Sequence, residues 1–151
     1  MFADKTIREF LDEAASAAPT PGGGSVAALT GALGAALVSM VGNLTVGREK
    51  YRDVEDEVRS LLTQTETLRQ ELLDLLEADI QAYGKLSAAM KLPRTTEEEK
   101  KARAAALQDA LVVATKVPLD IAERCSRIID LALPMAEKGN VNAISDVGVG
   151  A

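Results

Sequence analysis

The sequence contains no histidine and no tryptophan, and its 151 residues include one cysteine, two tyrosines and two phenylalanines. The absence of histidine excludes Ser-His-Asp and Cys-His nucleophile systems and histidine-ligated metal sites. The scarcity of aromatic rings argues against platforms on which nucleic acid bases stack. Any proton transfer is therefore left to carboxylates, lysine, tyrosine or the single thiol.

The single cysteine, Cys125, has no partner for a disulfide within the chain. The start of the sequence, Met1 to Asp4, lacks the basic and apolar stretches of a secretory signal. Both features predict a protein of the reducing cytoplasm. Because Cys125 stands among Ile121, Ile128 and Ile129, we interpret it as a packing residue in preference to a nucleophile.

Basic residues are in the minority, 17 Lys and Arg against 23 Asp and Glu, which gives a net charge of -6. Without a local basic patch, such a chain repels nucleic acid phosphates and anionic membranes. Neither nucleic acid nor a membrane is therefore expected as a partner. The apolar content of 47% suffices for one hydrophobic core, so a single domain over residues 1–151 is predicted.

The one long uncharged segment runs from Thr20 to Val46 and is rich in Ala, Gly, Leu and Val. It is long enough to cross a bilayer. Its small residues and few large aliphatic ones favour instead a buried helix of a soluble protein, beginning near Ser25. Gly31 and Gly34 should let neighbouring backbones approach this helix closely. A small membrane protein remains the alternative.

Charged amphipathic helices account for the rest of the chain. The capping-box spacing from Thr6 to Glu9 predicts a first helix that ends near Ala17. A third helix, ending near Leu92 and about 60 Å long, is predicted by an apolar stripe with alternating steps of four and three residues. The stripe consists of Val54, Val58, Leu61, Thr65, Leu68, Leu72, Leu75, Asp79, Ala82 and Leu86.

Further helices follow Pro93. Thr95 and Thr96 each precede a glutamate by three residues, which predicts the start of a fourth helix. Pro118 is expected to break that helix, with another from about Leu119 to Glu137 and a last one after Gly139-Asn140. The predicted fold is all-α, an elongated bundle of about five or six helices with a long third helix and a buried, small-residue second helix.

Asp79 interrupts the apolar stripe of the third helix. Burying a carboxylate without a partner is costly, so Asp79 requires a partner, a proton or a solvent-filled cleft. A structural aspartate paired with Lys or Arg and a functional acid both satisfy this requirement. The spacing alone leaves both interpretations open.

A glycine triplet, Gly22 to Gly24, precedes the second helix. Free N–H groups and the helix dipole make such a helix start suitable for binding an anion. The triplet lacks the spacing and lysine of a phosphate-binding P-loop, and no strand precedes it. A flexible linker is the alternative, but the neighbouring Pro19 and Pro21 favour a shaped turn.

Several segments along the whole chain carry a family resemblance. They are Pro19–Ala28, Asn43–Tyr51, Glu77–Asp79 with Tyr83, Lys91–Pro93 and Gly139–Asp146. In these segments the chain resembles the cyclodeaminase/cyclohydrolase family, which comprises the cyclodeaminase domain of formiminotransferase-cyclodeaminase and stand-alone bacterial relatives, some described as methenyltetrahydrofolate cyclohydrolases. The resemblance implies an all-helical homodimer that acts on one-carbon units carried by tetrahydrofolate, and a domain shortened at its C-terminus.

The resemblance also implies roles for particular residues. Asp79 matches the family's acid in its Asp-Ala-Asp segment and is the predicted proton donor, although Glu77 replaces the first aspartate. We further hypothesise that Asp146 pairs with the guanidine-like edge of the pterin ring, because a carboxylate can accept two hydrogen bonds there. The predicted substrate-binding residues are Gly22, Gly23, Gly24, Ser25, Asn43, Lys50, Tyr83, Asn140, Asn142 and Asp146. No metal and no redox cofactor is called for, since the tetrahydrofolate derivative is the substrate.

Two activities fit this resemblance, formimidoyltetrahydrofolate cyclodeaminase and 5,10-methenyltetrahydrofolate cyclohydrolase. In both, a carboxylic acid on an apolar helix face is a suitable proton donor, because desolvation disfavours its charged form. The alternatives are an inactive truncated homologue and a helical dimerisation module. In such a module Asp79 would form an ion pair across the interface.

Overall fold

The computed structural model describes all residues from Met1 to Ala151, and it contains helices and no strand. The five α-helices are α1 (Ile7–Ala14), α2 (Gly23–Asn43), α3 (Glu55–Met90), α4 (Glu97–Lys138) and α5 (Ile144–Gly150). Short 3-10 segments lie at Phe2–Asp4, Glu49–Val54 and Val141–Ala143. The structure confirms the predicted all-α helical bundle and its long third helix.

The helix starts follow the predicted capping boxes. At α1 the Glu9 N–H donates to Thr6 Oγ1 (3.2 Å), and the Thr6 N–H donates to the Glu9 carboxylate (2.8 Å). Thr96 and Glu99 form the same reciprocal pair before α4, at 3.2 and 3.1 Å. The overlapping box predicted at Thr95 does not form, because the Thr95 N–H donates to Glu99 instead (2.7 Å).

The prediction of a helix break at Pro118 is wrong. A single helix, α4, continues through this position for 42 residues. Proline has no N–H and leaves the carbonyl group one turn earlier without its helical hydrogen bond. Pro118 is exposed, so water can bond that carbonyl group and the loss does not force a break.

The chain divides into two compact units. Unit 1 consists of Met1–Val26 and Leu75–Asp120, and so includes α1, the first turn of α2, the end of α3 and the first half of α4. Its buried side chains include Phe10, Ser25, Leu76, Ala82, Ala89, Ala110 and Val117. Small residues dominate this list, which keeps the elements of unit 1 close together.

Unit 2 consists of Ala27–Asp74 and Ile121–Ala151. Its core includes Ala28, Ala32, Ala35, Val38, Val41, Val58, Leu68, Leu72, Ile121, Ile128, Ala132, Met135 and Val147. A Cβ added at Gly31 would lie 2.6 Å from the Cys125 sulfur, and one at Gly34 would lie 2.5 Å from the Gly150 carbonyl oxygen. The predicted close approach of a neighbouring backbone is confirmed at Gly34, whereas the close neighbour at Gly31 is a side chain.

The half-buried Cys125 contributes to this packing. Burial raises the pKa of its thiol, which disfavours the reactive thiolate. Thr65 is fully buried and donates its hydroxyl to the Leu61 carbonyl group (3.0 Å). It also accepts a hydrogen bond from Ser39 (3.1 Å), which links α3 to α2 within unit 2.

One side of α2 stays open. Leu33 and Met40 are exposed, while Ala35 and Val38 on the opposite side are fully buried. With 21 residues and an 18-residue window of mean hydropathy 1.7, α2 is also long and apolar enough to cross a membrane, and 39% of that window is buried. Core helices of soluble proteins meet the same criterion, so the length and hydropathy of α2 do not by themselves distinguish a membrane helix from a core helix.

Candidate active site

Asp79 lies on α3 in unit 1 and is half-buried. Its Oδ2 accepts a hydrogen bond from the Ser25 hydroxyl at 2.7 Å. Ser25 belongs to the first turn of α2 and is fully buried. No Lys or Arg forms an ion pair with Asp79. The structural interpretation from the sequence, a carboxylate neutralised by a basic side chain, does not describe this site, since the partner is a neutral hydroxyl.

Gly24 provides the space for the Asp79 carboxylate. A Cβ added at Gly24 would overlap the carboxylate and lie 2.6 Å from its Cγ. A Cβ at Gly23 would meet nothing within 4 Å, and one at Gly22 would meet only the Pro19 carbonyl oxygen, at 3.9 Å. Of the three glycines, only Gly24 has to lack a side chain, because the Asp79 carboxylate lies where its Cβ would be.

The start of α2 therefore already lies beside an acidic side chain of the protein itself. The sequence predicts that this helix start is suited to binding an anion, and the structure places the protein's own carboxylate, Asp79, against it. A carboxylate at a helix N-terminus has a favourable interaction with the helix dipole. Ser25, predicted to bind substrate, has its hydroxyl turned to Asp79 within a buried environment.

A cavity of about 420 Å³ lies in the same unit. It is lined by Pro19, Thr20, Ile80, Tyr83, Gly84, Ser87, Ala88 and Lys91. The predicted site residue Tyr83 is 42% exposed there, so its ring is accessible to a ligand. Lys91 lies in a segment of the family resemblance but was not predicted as a site residue, because only the folded chain brings it to the same cavity as Thr20 and Tyr83.

A second group of predicted site residues lies in unit 2, around Asn140. Asn140 is buried, its N–H donates to Thr45 Oγ1 (2.8 Å) and its side-chain amide donates to the Leu44 carbonyl group (3.2 Å). Its side-chain oxygen accepts from the Asn142 N–H (3.1 Å). Hydrogen bonds within the chain thus satisfy the polar groups of Asn140. These bonds shape the turn between α4 and α5.

Tyr51 joins this group, although no sequence pattern predicted a role for it. The Val141 N–H donates to the Tyr51 hydroxyl oxygen (3.2 Å), and this hydrogen bond lowers the pKa of Tyr51 below its usual value. The Lys50 ammonium lies 5.2 Å from the centre of the Tyr51 ring. Both residues line a cavity of about 690 Å³ in unit 2, together with Asp53.

The remaining predicted residues of unit 2 have free side chains. Asn43 and Asn142 are exposed and Asp146 is half-buried, and none of the three side chains bonds a protein group. They stay predicted substrate-binding residues. The structure thus distributes the predicted site over two groups, one in each unit. No three Asp, Glu or Cys side chains stand close enough to hold a metal ion.

Replacing Asn140 by alanine is expected to lower the free energy of unfolding by about 1–3 kcal/mol, because the Leu44 carbonyl group and the Asn142 N–H lose the hydrogen bonds that the Asn140 side chain makes. Asn142→Ala is the matched control and should change stability by less than about 0.5 kcal/mol, since that side chain is exposed. Urea unfolding of both variants measures the difference. Equal stability of the two variants would contradict the structural role of Asn140.

The sequence matches the family model described as formiminotransferase-cyclodeaminase over residues 6–151. The methenyltetrahydrofolate cyclohydrolase of Methylorubrum extorquens is 52% identical over 149 residues, which cover 99% of this chain and 72% of that protein. The formimidoyltransferase-cyclodeaminase of Rattus norvegicus is 39% identical over 148 residues, which cover 98% of this chain and 27% of that protein.

The fold has a close counterpart among solved structures. The crystal structure of formiminotetrahydrofolate cyclodeaminase from Thermotoga maritima matches with a TM-score of 0.83 and 35% sequence identity, covering 97% of this chain and 69% of that chain. Helix architecture and sequence therefore lead to the same assignment: the chain belongs to the formiminotransferase-cyclodeaminase family.

Proposed function

We propose that this protein is a folate one-carbon enzyme that acts as a 5,10-methenyltetrahydrofolate cyclohydrolase. The observation that carries this proposal is the Asp79 carboxylate, held through one oxygen by buried Ser25 and free of any basic partner. The 52% identity to the Methylorubrum extorquens cyclohydrolase favours this activity. The relatives named as cyclodeaminases keep the cyclodeaminase reaction as the second candidate.

In the cyclohydrolase reaction, water adds to the carbon that bridges N5 and N10, and the bond from that carbon to N5 then breaks. In the proposed mechanism, the Asp79 carboxylate accepts one proton from the attacking water and delivers it to N5 as that nitrogen leaves. The second proton of the water passes to solvent as the formyl carbonyl forms. The carboxylate also stabilises the positive charge of the methenyl bridge before water adds.

In the cyclodeaminase reaction, N10 attacks the formimino carbon on N5 and ammonia leaves. The attack is intramolecular, so the enzyme mainly has to fold the substrate and protonate the departing nitrogen. Asp79 in its acid form supplies that proton. One acid can therefore assist both reactions, which differ in the group that leaves the one-carbon unit.

The absorbance of the methenyl chromophore distinguishes the two activities. With 5,10-methenyltetrahydrofolate supplied, a cyclohydrolase removes the absorbance faster than the uncatalysed reaction does. With 5-formimidoyltetrahydrofolate supplied, a cyclodeaminase generates it. If neither absorbance changes above the rate without enzyme, the catalytic proposal is wrong and the dimerisation module is favoured.

Replacing Ser25 by alanine is expected to lower kcat about tenfold and to change KM less than about twofold, because the hydroxyl holds the acid and not the substrate. Steady-state kinetics with the methenyl substrate measures both constants. Ser39→Ala is the matched control: it removes another buried hydroxyl from α2, at a position bonded to Thr65. It should lower stability and leave kcat unchanged, and an equal loss of kcat in both variants would contradict the role of Ser25.

We also propose that the protein is a cytoplasmic homodimer. Exposed apolar side chains in unit 2 support self-association, since Leu33, Leu133 and Val149 are 59%, 66% and 77% exposed. Sedimentation velocity should give twice the 15.9 kDa mass of one chain. A monomer at micromolar concentration would refute the dimer, and a requirement for detergent would favour the membrane alternative.

A further inference from the structure

In unit 1, the segment from Thr20 to Ser25 runs beside helix α3, next to the Asp79 carboxylate. At one end the Ser25 hydroxyl bonds Asp79 at 2.7 Å. At the other end Thr20, which precedes α2, lines the 420 Å³ cavity together with Tyr83 and Lys91. The segment from Thr20 to Ser25 and α3 therefore run antiparallel, and the cavity begins beside the acid and extends toward the C-terminal end of α3.

The positions on α3 give the order of groups along this cavity. Tyr83 lies four residues after Asp79, on the same helix face and about 6 Å farther along the axis. Lys91, just beyond the end of α3, lies about 18 Å from Asp79 along the same direction. The order is thus an acid, then an exposed aromatic ring beside the Ile80 side chain, then a cation.

Lys91 gives the cavity its electrostatic character. It is the one charged residue among those that line the cavity, and it forms no ion pair with the protein. The chain as a whole carries a net charge of -6 and repels anions at long range. An unpaired lysine in this cavity therefore supplies a local binding point for a ligand that carries carboxylates.

We propose that this cavity binds the aminobenzoyl-glutamate tail of the reduced folate. The aminobenzoyl ring packs against Ile80 and Tyr83, and a glutamate carboxylate pairs with Lys91. The proposal rests on the proposed function, because that function places the one-carbon bridge at Asp79. In a folate the ring follows N10 and the glutamate follows the ring, so the chemical order of the tail matches the order of groups along the cavity.

The test uses two substrates, 5,10-methenyltetrahydrofolate and 5,10-methenyltetrahydropteroate, which lacks the glutamate. Lys91→Ala is expected to raise KM for the folate about fivefold with kcat unchanged, the size of a solvent-exposed ion pair. For the pteroate it should change neither constant. The KM difference for the folate should shrink at about 0.5 M salt, because exposed charges are then screened.

Lys85→Ala is the matched control, since this lysine is exposed near the end of α3 and lines a different cavity. It should change KM for neither substrate. A Lys91→Ala effect that is equal for both substrates, or absent for both, would overturn the proposal. So would an equal effect of Lys85→Ala.

Absence of turnover by the wild-type protein would reject the proposed function and not, by itself, the cavity. Calorimetry with 5-formyltetrahydrofolate and 5-formyltetrahydropteroate then tests the cavity directly. A preference for the glutamate-bearing ligand that disappears in Lys91→Ala supports the tail site. Equal binding of both ligands, or binding of neither, overturns it.

Discussion

Replacing Asp79 by asparagine is expected to lower kcat by about 10²–10⁴-fold, the usual contribution of one positioned acid or base. Asparagine has the same shape, and its carbonyl oxygen can still accept the hydrogen bond that Ser25 donates to Asp79. It cannot exchange a proton with water or with N5. The loss should therefore appear in kcat, whereas KM and the melting temperature stay close to those of the wild type.

Asp74→Asn is the control for this substitution, because Asp74 is an exposed aspartate on the same helix. It should leave kcat unchanged. Methenyl absorbance measures turnover, and thermal unfolding followed by circular dichroism measures stability. Full activity of Asp79→Asn, or a loss of activity that follows a loss of folded protein, would remove Asp79 from the catalytic role.

Replacing Gly24 by alanine is expected to lower kcat by about 100-fold. The added Cβ would stand where the Asp79 carboxylate now lies, 2.6 Å from its Cγ, so the acid has to move. A displacement of about 1 Å at a reacting group is enough for a loss of this size. The same steady-state assay detects it, and the hydrogen bond from Ser25 to Asp79 should be weakened as well.

Gly23→Ala is the matched control, one residue earlier in the same helix turn. An added Cβ there meets nothing within 4 Å, and the backbone does not have a positive φ. This variant should keep full activity and gain up to about 1 kcal/mol of stability, because alanine restricts the unfolded chain. Loss of activity in both variants would show that the helix start tolerates no side chain at all, and the specific contact between Gly24 and Asp79 would lose its support.

Much of the fold could be read from short-range patterns. The capping boxes at Thr6 and Thr96 formed as predicted, because each needs only residues three positions apart. The stripe of the third helix was predicted for the same reason, since its period places residues on one face. The prediction of a helix break at Pro118 was wrong because the effect of a proline depends on whether the carbonyl group one turn earlier reaches water. That exposure is a property of the folded helix.

In the candidate site, too, the sequence predicted some features and the tertiary structure decided others. By itself the sequence limited proton transfer to carboxylates, lysine, tyrosine or the single thiol, and it singled out Asp79 because a carboxylate in an apolar stripe needs an explanation. Only the tertiary structure decided that the partner is Ser25, 54 residues away, and that Asn140 is held by Thr45, 95 residues away. Local patterns reflect interactions within one or two helix turns, whereas these partners meet only after the helices have packed.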